Sequence, residues 1–430
     1  MNSELPRRLS LVDSVAIVVG IVIGGGIFVV PNMVARSLPS RNWILLCWAF
    51  AGLVSFFGAL ACAELGAAMP ATGGQYVFIR ESYGRLAAFL CGWSTFLVAR
   101  TAQVAWLAVT FALYVSYFFP IHGYAAKLLA VAMIGLFALI NYVGVQTGAW
   151  VQKIFAAAKL IGLAVIIGGA FLAQPLQTPV PQPDAPISIS LFGVAMIACL
   201  LGYDGWVQMS FVAGEIKRPE KNIFRALAIG VSLCIFVYLL ANLAYLRMLT
   251  IPEIAASDHV GAAAAERAMG PWGGTLVSAI ILLSIAGTLN GCFLTSPRVY
   301  FAQARDGLFF RQFGEMHPRF KTPAFAIVAQ ALWAAFLVLT GSYDTLAEYA
   351  MFATWLFYGL MVAGVMVLRR TRPDLPRPYR MWGYPFTPAL FLAVTAWFLA
   401  NQIATRPGPA LAALALIAAG IPAYFIWRKA

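Results

Sequence analysis

Apolar stretches of membrane-crossing length recur from end to end of this chain, near 11–36, 42–69, 86–117, 126–144, 149–173, 188–213, 224–248, 272–300, 324–340, 345–368, 384–403 and 409–427. A hydrocarbon core of roughly 30 Å takes about 20 residues of helix at 1.5 Å per residue. About twelve such runs therefore predict an all-α membrane protein, with residues 1–430 as a single polytopic domain. No stretch between them is long enough to form a separate soluble domain. The composition points the same way, since 62% of residues are hydrophobic and only 10% are charged, and the mean hydropathy is +0.83.

Two of the runs are interrupted at mid-membrane depth by glycine: Ile23-Gly24-Gly25-Gly26-Ile27 in the first and Gly202-Tyr203-Asp204-Gly205-Trp206 in the sixth. Each glycine weakens a helix by roughly 1 kcal/mol relative to alanine. Unwound backbone exposes N–H and C=O groups, which hydrocarbon tolerates only where they line a cavity or hold something polar. A pair of broken segments in matching places of two halves is a pointer to a transporter's substrate site. The second half of the first run would begin near Ile27, with unpaired N–H groups and a positive dipole end suited to an anion. The carbonyls ending the first half of the sixth would suit an ammonium, and the two together describe a zwitterion. Packing glycines usually recur every fourth residue, so an uninterrupted triplet fits a break better than a close helix contact.

The formal charge of +13 is a topology signal rather than a nucleic-acid footprint. With the N-terminus inside, most Lys and Arg fall in cytoplasmic segments, among them Arg7, Arg8, Lys217, Arg218, Lys221, Arg225, Arg305, Arg311, Arg369, Arg370, Arg428 and Lys429. That bias predicts both termini in the cytoplasm and a multi-pass protein of the plasma (inner) membrane. A polybasic lipid-binding surface is the weaker reading, because the charges are spread over many loops. The loops near 174–187 and 249–271, poor in Lys and Arg, are placed outside. Residues 11–36 read as a first span and not a cleaved leader, for no small-residue cleavage site precedes Pro31.

Inside the membrane, a few polar residues invite a role. Lys159 lies about twelve residues into its span, about 18 Å deep, where a charge costs about 2.5–3.5 kcal/mol; it calls for a buried partner or a working role in coupling. Arg100 is similarly deep, and either shapes the cavity or holds the scaffold to the broken helices. Asp204, inside the second break, either stabilises exposed N–H groups there or selects a cationic group, the first being favoured because a free carboxylate would repel an amino acid's acid end. Tyr203 is the aromatic residue expected to touch substrate, and Leu201 the one expected at the outer mouth. Glu64 reads as a scaffold carboxylate. The candidate substrate site is thus Ile23, Gly24, Gly25, Gly26, Ile27, Leu201, Gly202, Tyr203, Asp204 and Gly205, with Lys159, Leu201 and Arg100 in coupling or gating.

Cys47, Cys62, Cys91, Cys199, Cys234 and Cys292 sit in apolar runs without a CxxC pair and read as buried small hydrophobes. His122, His259 and His317 are far apart in sequence. Neither a metal site nor a catalytic triad can be assembled from them, so no enzyme chemistry and no cofactor is expected.

Several segments together resemble the amino acid–polyamine–organocation superfamily, most closely its bacterial L-type amino acid transporter-like branch. They are Val22-Ile23-Gly24-Gly25-Gly26-Ile27-Phe28, Tyr203-Asp204-Gly205-Trp206 with Gly214-Glu215-Ile216-Lys217-Arg218-Pro219, Leu294-Thr295-Ser296-Pro297-Arg298-Val299-Tyr300 with Ala304-Arg305-Asp306-Gly307-Leu308, His317-Pro318-Arg319-Phe320, and Arg377-Pro378-Tyr379-Arg380 with Gly383-Tyr384-Pro385. The resemblance implies a five-plus-five inverted repeat, 11–173 against 188–368, with broken helices 1 and 6 and two further helices in 384–427. It also implies that the substrate's carboxylate binds at the first break and its amine at both breaks. Lys159 matches the lysine that L-type members carry where sodium-coupled relatives bind an ion, implying sodium-independent exchange. Three departures stand out. Gly25 replaces the serine of the usual Gly-Ser-Gly, Leu201 replaces a bulky aromatic gate, and the stretch 118–126 lacks the cysteine by which animal members bond to a glycoprotein.

The expected function is a secondary carrier exchanging neutral L-amino acids by alternating access, with the bilayer and a small amino acid as its partners, and neither nucleic acid nor a disulfide-linked heavy chain. A proton-coupled amino acid carrier or a polyamine carrier is the alternative within transport, the latter favoured by Asp204. A non-transporting sensor of the same fold would need a signalling domain or long tail, and a channel would need a polar stripe.

Overall fold

The computed structural model describes residues 5–116, 118–175 and 188–429; most of the proline-rich stretch 174–187, expected outside, lies beyond the described residues. Among these, nine helices are long and apolar enough to cross a membrane, and the pair Leu11–Val22 and Gly26–Ser37, bent by 43°, makes a tenth. Two shorter apolar helices, Ser190–Gly202 and Ala324–Thr340, occupy the sixth and ninth expected runs. In chain order the spans are 11–37, Arg41–Ala68, Arg85–Val115, Tyr124–Val143, Val145–Leu172, 189–215, Pro219–Met248, Pro271–Arg305, Ala324–Thr340, Tyr343–Thr371, Phe386–Thr405 and Pro407–Trp427. They are called the first to twelfth below.

Burial sorts these spans by position in the bundle. The most apolar stretch of the eighth span is 78% buried, whereas those of the fourth, eleventh and twelfth are 28% buried. The eighth is therefore central and the other three lie at the periphery of the bundle. Its buried polar residues Ser284, Thr288, Asn290 and Thr295 are then groups that serve the interior, since intramembrane polar side chains turn to partners within the bundle. Asn290 donates to Gln152 (2.7 Å) and accepts from Asn141 (3.0 Å), linking the eighth, fifth and fourth spans.

Local chemistry sets where the pieces begin. Ser10 and Asp13 form a reciprocal capping box at the start of the first span, satisfying two of the free N–H groups of a helix start, and Asp13 also pairs with Lys153 of the fifth span at 2.8 Å. The third span carries a π turn over Thr95–Ala99, directly ahead of Arg100; such a turn inserts extra backbone and redirects the side chains that follow. On the N-terminal face, the amides of Arg8 and Leu9 donate to the Glu215 carbonyl (2.8 and 2.9 Å). Behind that contact Glu215 and Arg298 form an ion pair at 2.8 Å with both side chains fully buried. Glu64 is held by Arg369 (2.6 Å), Arg377 (3.5 Å) and the Met381 amide (2.7 Å), in agreement with a scaffold role. All six cysteines are buried thiols.

The connection 249–271, read from sequence as a loop, contains the helices Ile251–Ala256 and Val260–Met269. Thr250 and Glu253 make a capping box, a signature that was legible in the order Thr-x-x-Glu. Arg267 bonds to Glu253 and, with the Thr250 amide, pulls its carboxyl down to about 2. Asn32 donates to the Ser257 carbonyl, and Arg36 to that of Ala255 at 2.9 Å, so this connection rests on the C-terminal end of the first span.

Candidate functional site

The two expected breaks meet at the centre of the bundle. The first helix ends at Val22 and resumes at Gly26, while the sixth ends at Gly202 and resumes at Gln208. A Cβ built on Gly26 would lie 3.4 Å from the Gly202 Cα, so the two breaks are in direct contact here, and a Cβ on Gly202 would press on the Trp48 ring at 3.1 Å. Gly25 lies at φ −67°, ψ −15°, ordinary right-handed backbone. Gly205 lies at φ +120°, and a Cβ there would lie 2.6 Å from the Ile21 Cγ2; glycine is required at that position for both conformation and space.

Helix ends leave carbonyls and amides without intrahelical partners, and here the two kinds have different fates. The fully buried Lys159 ammonium donates to the carbonyls of Gly20 (2.8 Å), Ile23 (2.6 Å) and Ser284 (3.1 Å). Three donors on the ammonium meet three acceptors. Ser284 adds a hydroxyl to Ile23 (2.9 Å) and Thr288 one to Gly20 (3.2 Å). Tyr238 of the seventh span donates to Val22 (2.7 Å) and Gly202 (3.0 Å), bridging the breaks. By contrast, the Gly24 amide turns back to Val22 (2.8 Å) and that of Phe28 to Gly25 (3.1 Å), while the amides of Gly25, Gly26 and Ile27 have no acceptor among the described residues. Gly24, Gly25 and Gly26 are partly exposed. The first break thus leaves three donors without partners among the described residues, while the carbonyls of Gly20, Val22 and Ile23 are occupied.

Several expectations for the sixth break are corrected. Asp204 holds no backbone N–H of the break; its carboxylate accepts from Tyr358 (2.6 Å) and Arg100 (3.4 Å). Arg100, only 4% exposed, also donates to Tyr358 (2.9 Å) and Gln103 (2.9 Å), so it ties the third span to the sixth break and the tenth span. Tyr203 is buried and packs edge-on against Trp48 (5.7 Å between ring centres) and beside Tyr238 (4.9 Å). The Gly202 carbonyl, expected to be open to an ammonium, is taken by Tyr238. The side chains of Ile23 and Ile27 are buried in the core, so these residues offer only backbone to the site, while Leu201 is partly exposed beside Gly202.

Tyr238, Ser284, Thr288 and Tyr358 were missed from the sequence. Ser284 and Thr288 stand one turn apart on the most buried span, a spacing that puts them on one helix face. Neither tyrosine carries such a signal, since tyrosines occur throughout the chain. No group of three or more His, Cys, Asp or Glu able to hold a metal occurs among the described residues.

Comparison with known proteins gives one consistent answer. The chain is 32% identical over 433 residues to the serine/threonine exchanger SteT of Bacillus subtilis, covering 100% of this chain and 98% of that one. It is 31% identical to the human b(0,+)-type amino acid transporter 1, over 99% of this chain and 89% of that one. Against the mouse large neutral amino acids transporter small subunit 2 it is 33% identical, over 98% and 81%. A family model described as amino acid permease matches residues 9–421, and with both broken helices lying inside that match, the chain belongs to the amino acid permease family.

Proposed function

We propose that this permease is a secondary carrier that exchanges neutral L-amino acids by alternating access without sodium, in the plasma (inner) membrane with both termini cytoplasmic. Full-length likeness to amino acid exchangers and transporters supports the cargo. The substrate's carboxylate would lie against the free amides of Gly25, Gly26 and Ile27, where the positive end of the helix Gly26–Ser37 favours an anion. The two five-helix halves, 11–173 and 188–368, would be the units that rock against each other, with 384–427 outside that motion.

One observation carries the sodium-free reading: the Lys159 ammonium sits among three carbonyls within 3.1 Å, the kind of oxygen cage a sodium ion would need. A cage already filled by a fixed cation leaves no vacancy for a mobile one. Preference for neutral cargo follows from the ion pair of Asp204 with Arg100, which consumes the one carboxylate in the break and so disfavours a polyamine carrier. With no cysteine in 118–126, the carrier is expected to work without a disulfide-linked glycoprotein.

Liposomes bearing the purified protein and loaded with unlabelled amino acids test this reading. Labelled uptake should depend on the internal amino acid and be equal in sodium and choline media. A steep sodium requirement overturns the role of Lys159; undiminished uptake into empty liposomes overturns exchange.

A further inference from the structure

Basic charge is spread thinly along the sequence, but folding gathers three arginines about one cavity on the N-terminal face. The cavity, of about 270 Å³, lies between Arg7 ahead of the first span, Thr72 and Arg80 of the connection after the second, Gly214 behind the sixth break, and Arg305 at the end of the eighth. Arg80 is committed to Asp306 (2.5 Å) and Glu81 (2.9 Å), which neutralise it. Arg7 and Arg305 are exposed and have no ion pair among the described residues. The buried Val77, Phe301 and Ala302 also line the cavity, as does Asp306, the partner of Arg80.

Two uncommitted arginines lining one cavity together with Thr72 and buried apolar side chains match a particular ligand chemistry. Guanidinium groups bind phosphate oxygens bidentately, and neighbouring apolar side chains accept the carbon stem of an ester. A bare basic patch would attract any anion weakly; a concavity lined by both arginines and apolar side chains favours a phosphate with something apolar attached. We infer that this cavity binds a phosphate ester, the chemistry shared by an anionic phospholipid headgroup and a soluble glycerol phosphate. Its position gives occupancy a consequence. Arg7 stands two residues before Leu9, whose backbone bonds to Glu215 and Lys217 behind the sixth break, whereas Arg305 belongs to the eighth span. A phosphate bridging Arg7 and Arg305 would fasten the lead-in of both broken helices to the central span.

The test reads binding, so its outcome is separate from that of the transport assay. Protein in nanodiscs of phosphatidylglycerol and phosphatidylcholine is examined by native mass spectrometry for retained phosphatidylglycerol. In parallel, protein in phosphatidylcholine alone is titrated with glycerol 3-phosphate and with inorganic phosphate, following the melting temperature. The double variant Arg7→Gln with Arg305→Gln should lose about tenfold in phosphatidylglycerol retention, and the control Arg311→Gln with Arg370→Gln less than about twofold. Should glycerol 3-phosphate raise the melting temperature of the wild type but not of the cavity variant, the soluble ester is the ligand and the site stands. Retention and melting shifts that are both unchanged in the cavity variant overturn the proposal. So does an equal loss in the control variant, which would mean a diffuse basic surface.

Discussion

The two breaks solve one problem by opposite means. In the first, no charged residue lies between Val22 and Gly26, and the freed carbonyls are met by a cation sent in from the fifth span, Lys159, helped by Ser284 and Thr288 of the eighth. In the sixth, the charge is inside the break itself, and Asp204 is neutralised by Arg100 of the third span and accepts a hydrogen bond from Tyr358 of the tenth. The difference teaches where chemical freedom remains. The first break leaves three amides without an acceptor, those of the partly exposed Gly25 and Gly26 and of the buried Ile27, a donor set suited to an anion. The sixth keeps its carboxylate engaged and partly buried, so it can close the site without offering a competing charge.

Contact between the breaks is the feature whose removal has the largest effect. Gly26→Val places a branched side chain where even a Cβ lies 3.4 Å from Gly202, and substrate binding should be abolished while the protein still reaches the membrane. Gly25→Ala, whose Cβ would come no closer than 3.9 Å to any neighbouring side chain, should keep affinity within about threefold, since shifts of that size accompany small changes in packing. Equilibrium binding on both variants checks this. Equal losses at the two positions would mean that backbone freedom, not the touching of Gly26 and Gly202, is what the triplet supplies.

Lys159→Ala comes next. A hydrogen bond from a charged donor contributes about 1.5–3 kcal/mol, so losing its worth in only one conformational state should slow exchange about 100-fold. Binding should survive, with affinity shifted differently from the two membrane faces, and uptake measured from each face separately reads this out. Proportional losses of affinity and rate on both faces would make Lys159 a general structural residue. Restoration by sodium would sharpen the comparison instead, exposing the first break as a latent ion site that the lysine fills.

For the sixth break the corresponding variant is Arg100→Gln. It leaves Asp204 as a free carboxylate beside the substrate, and breaking a buried pair costs about 3–5 kcal/mol where the remaining charge stays buried. Exposure of the Asp204 side chain, 16%, softens that cost. Neutral exchange should fall about tenfold while cationic amino acids begin to compete, as measured by inhibition of labelled uptake. Adding Asp204→Asn should remove the new cationic preference, a double-mutant cycle whose interaction term is the ion pair. Cationic competition that never appears would return Arg100 to a role in shaping the cavity alone.

Much of this was legible in the chain because hydrophobic length and glycine interruption are local signals. The twelve apolar runs, the two breaks and the depth of Lys159 depend on neighbours in sequence. What stayed hidden depends on which faces meet. Nothing local told that Tyr203 turns toward Trp48 while Tyr358 turns toward Asp204, because aromatic residues on apolar helices look alike until the bundle is assembled. Asp204 was misjudged for the same reason. Its partners lie 104 residues before it and 154 after it, and a break offers an acidic side chain its own backbone as a plausible but incorrect partner.

A smaller effect than that of Arg100→Gln is expected of Tyr238→Phe, and it bears most directly on whether the breaks are two sites or one. The ring would still fill its place against Trp48 and Tyr203 at 5.4 and 4.9 Å, so packing is retained and only the hydroxyl is lost. That hydroxyl serves Val22 and Gly202 at once, and leaving buried carbonyls short of a donor costs about 1–3 kcal/mol. Because the loss falls on both conformational states, most of it should appear as stability, with exchange slowed only about threefold to fivefold. Combining Tyr238→Phe with Lys159→Ala then separates the possibilities. Additive effects would mean that each break holds its own geometry and that Tyr238 merely touches both. An interaction beyond about 0.5 kcal/mol would mean that the Val22 and Ile23 carbonyls shift together, so that the cation holding the first break also sets where the sixth one lies.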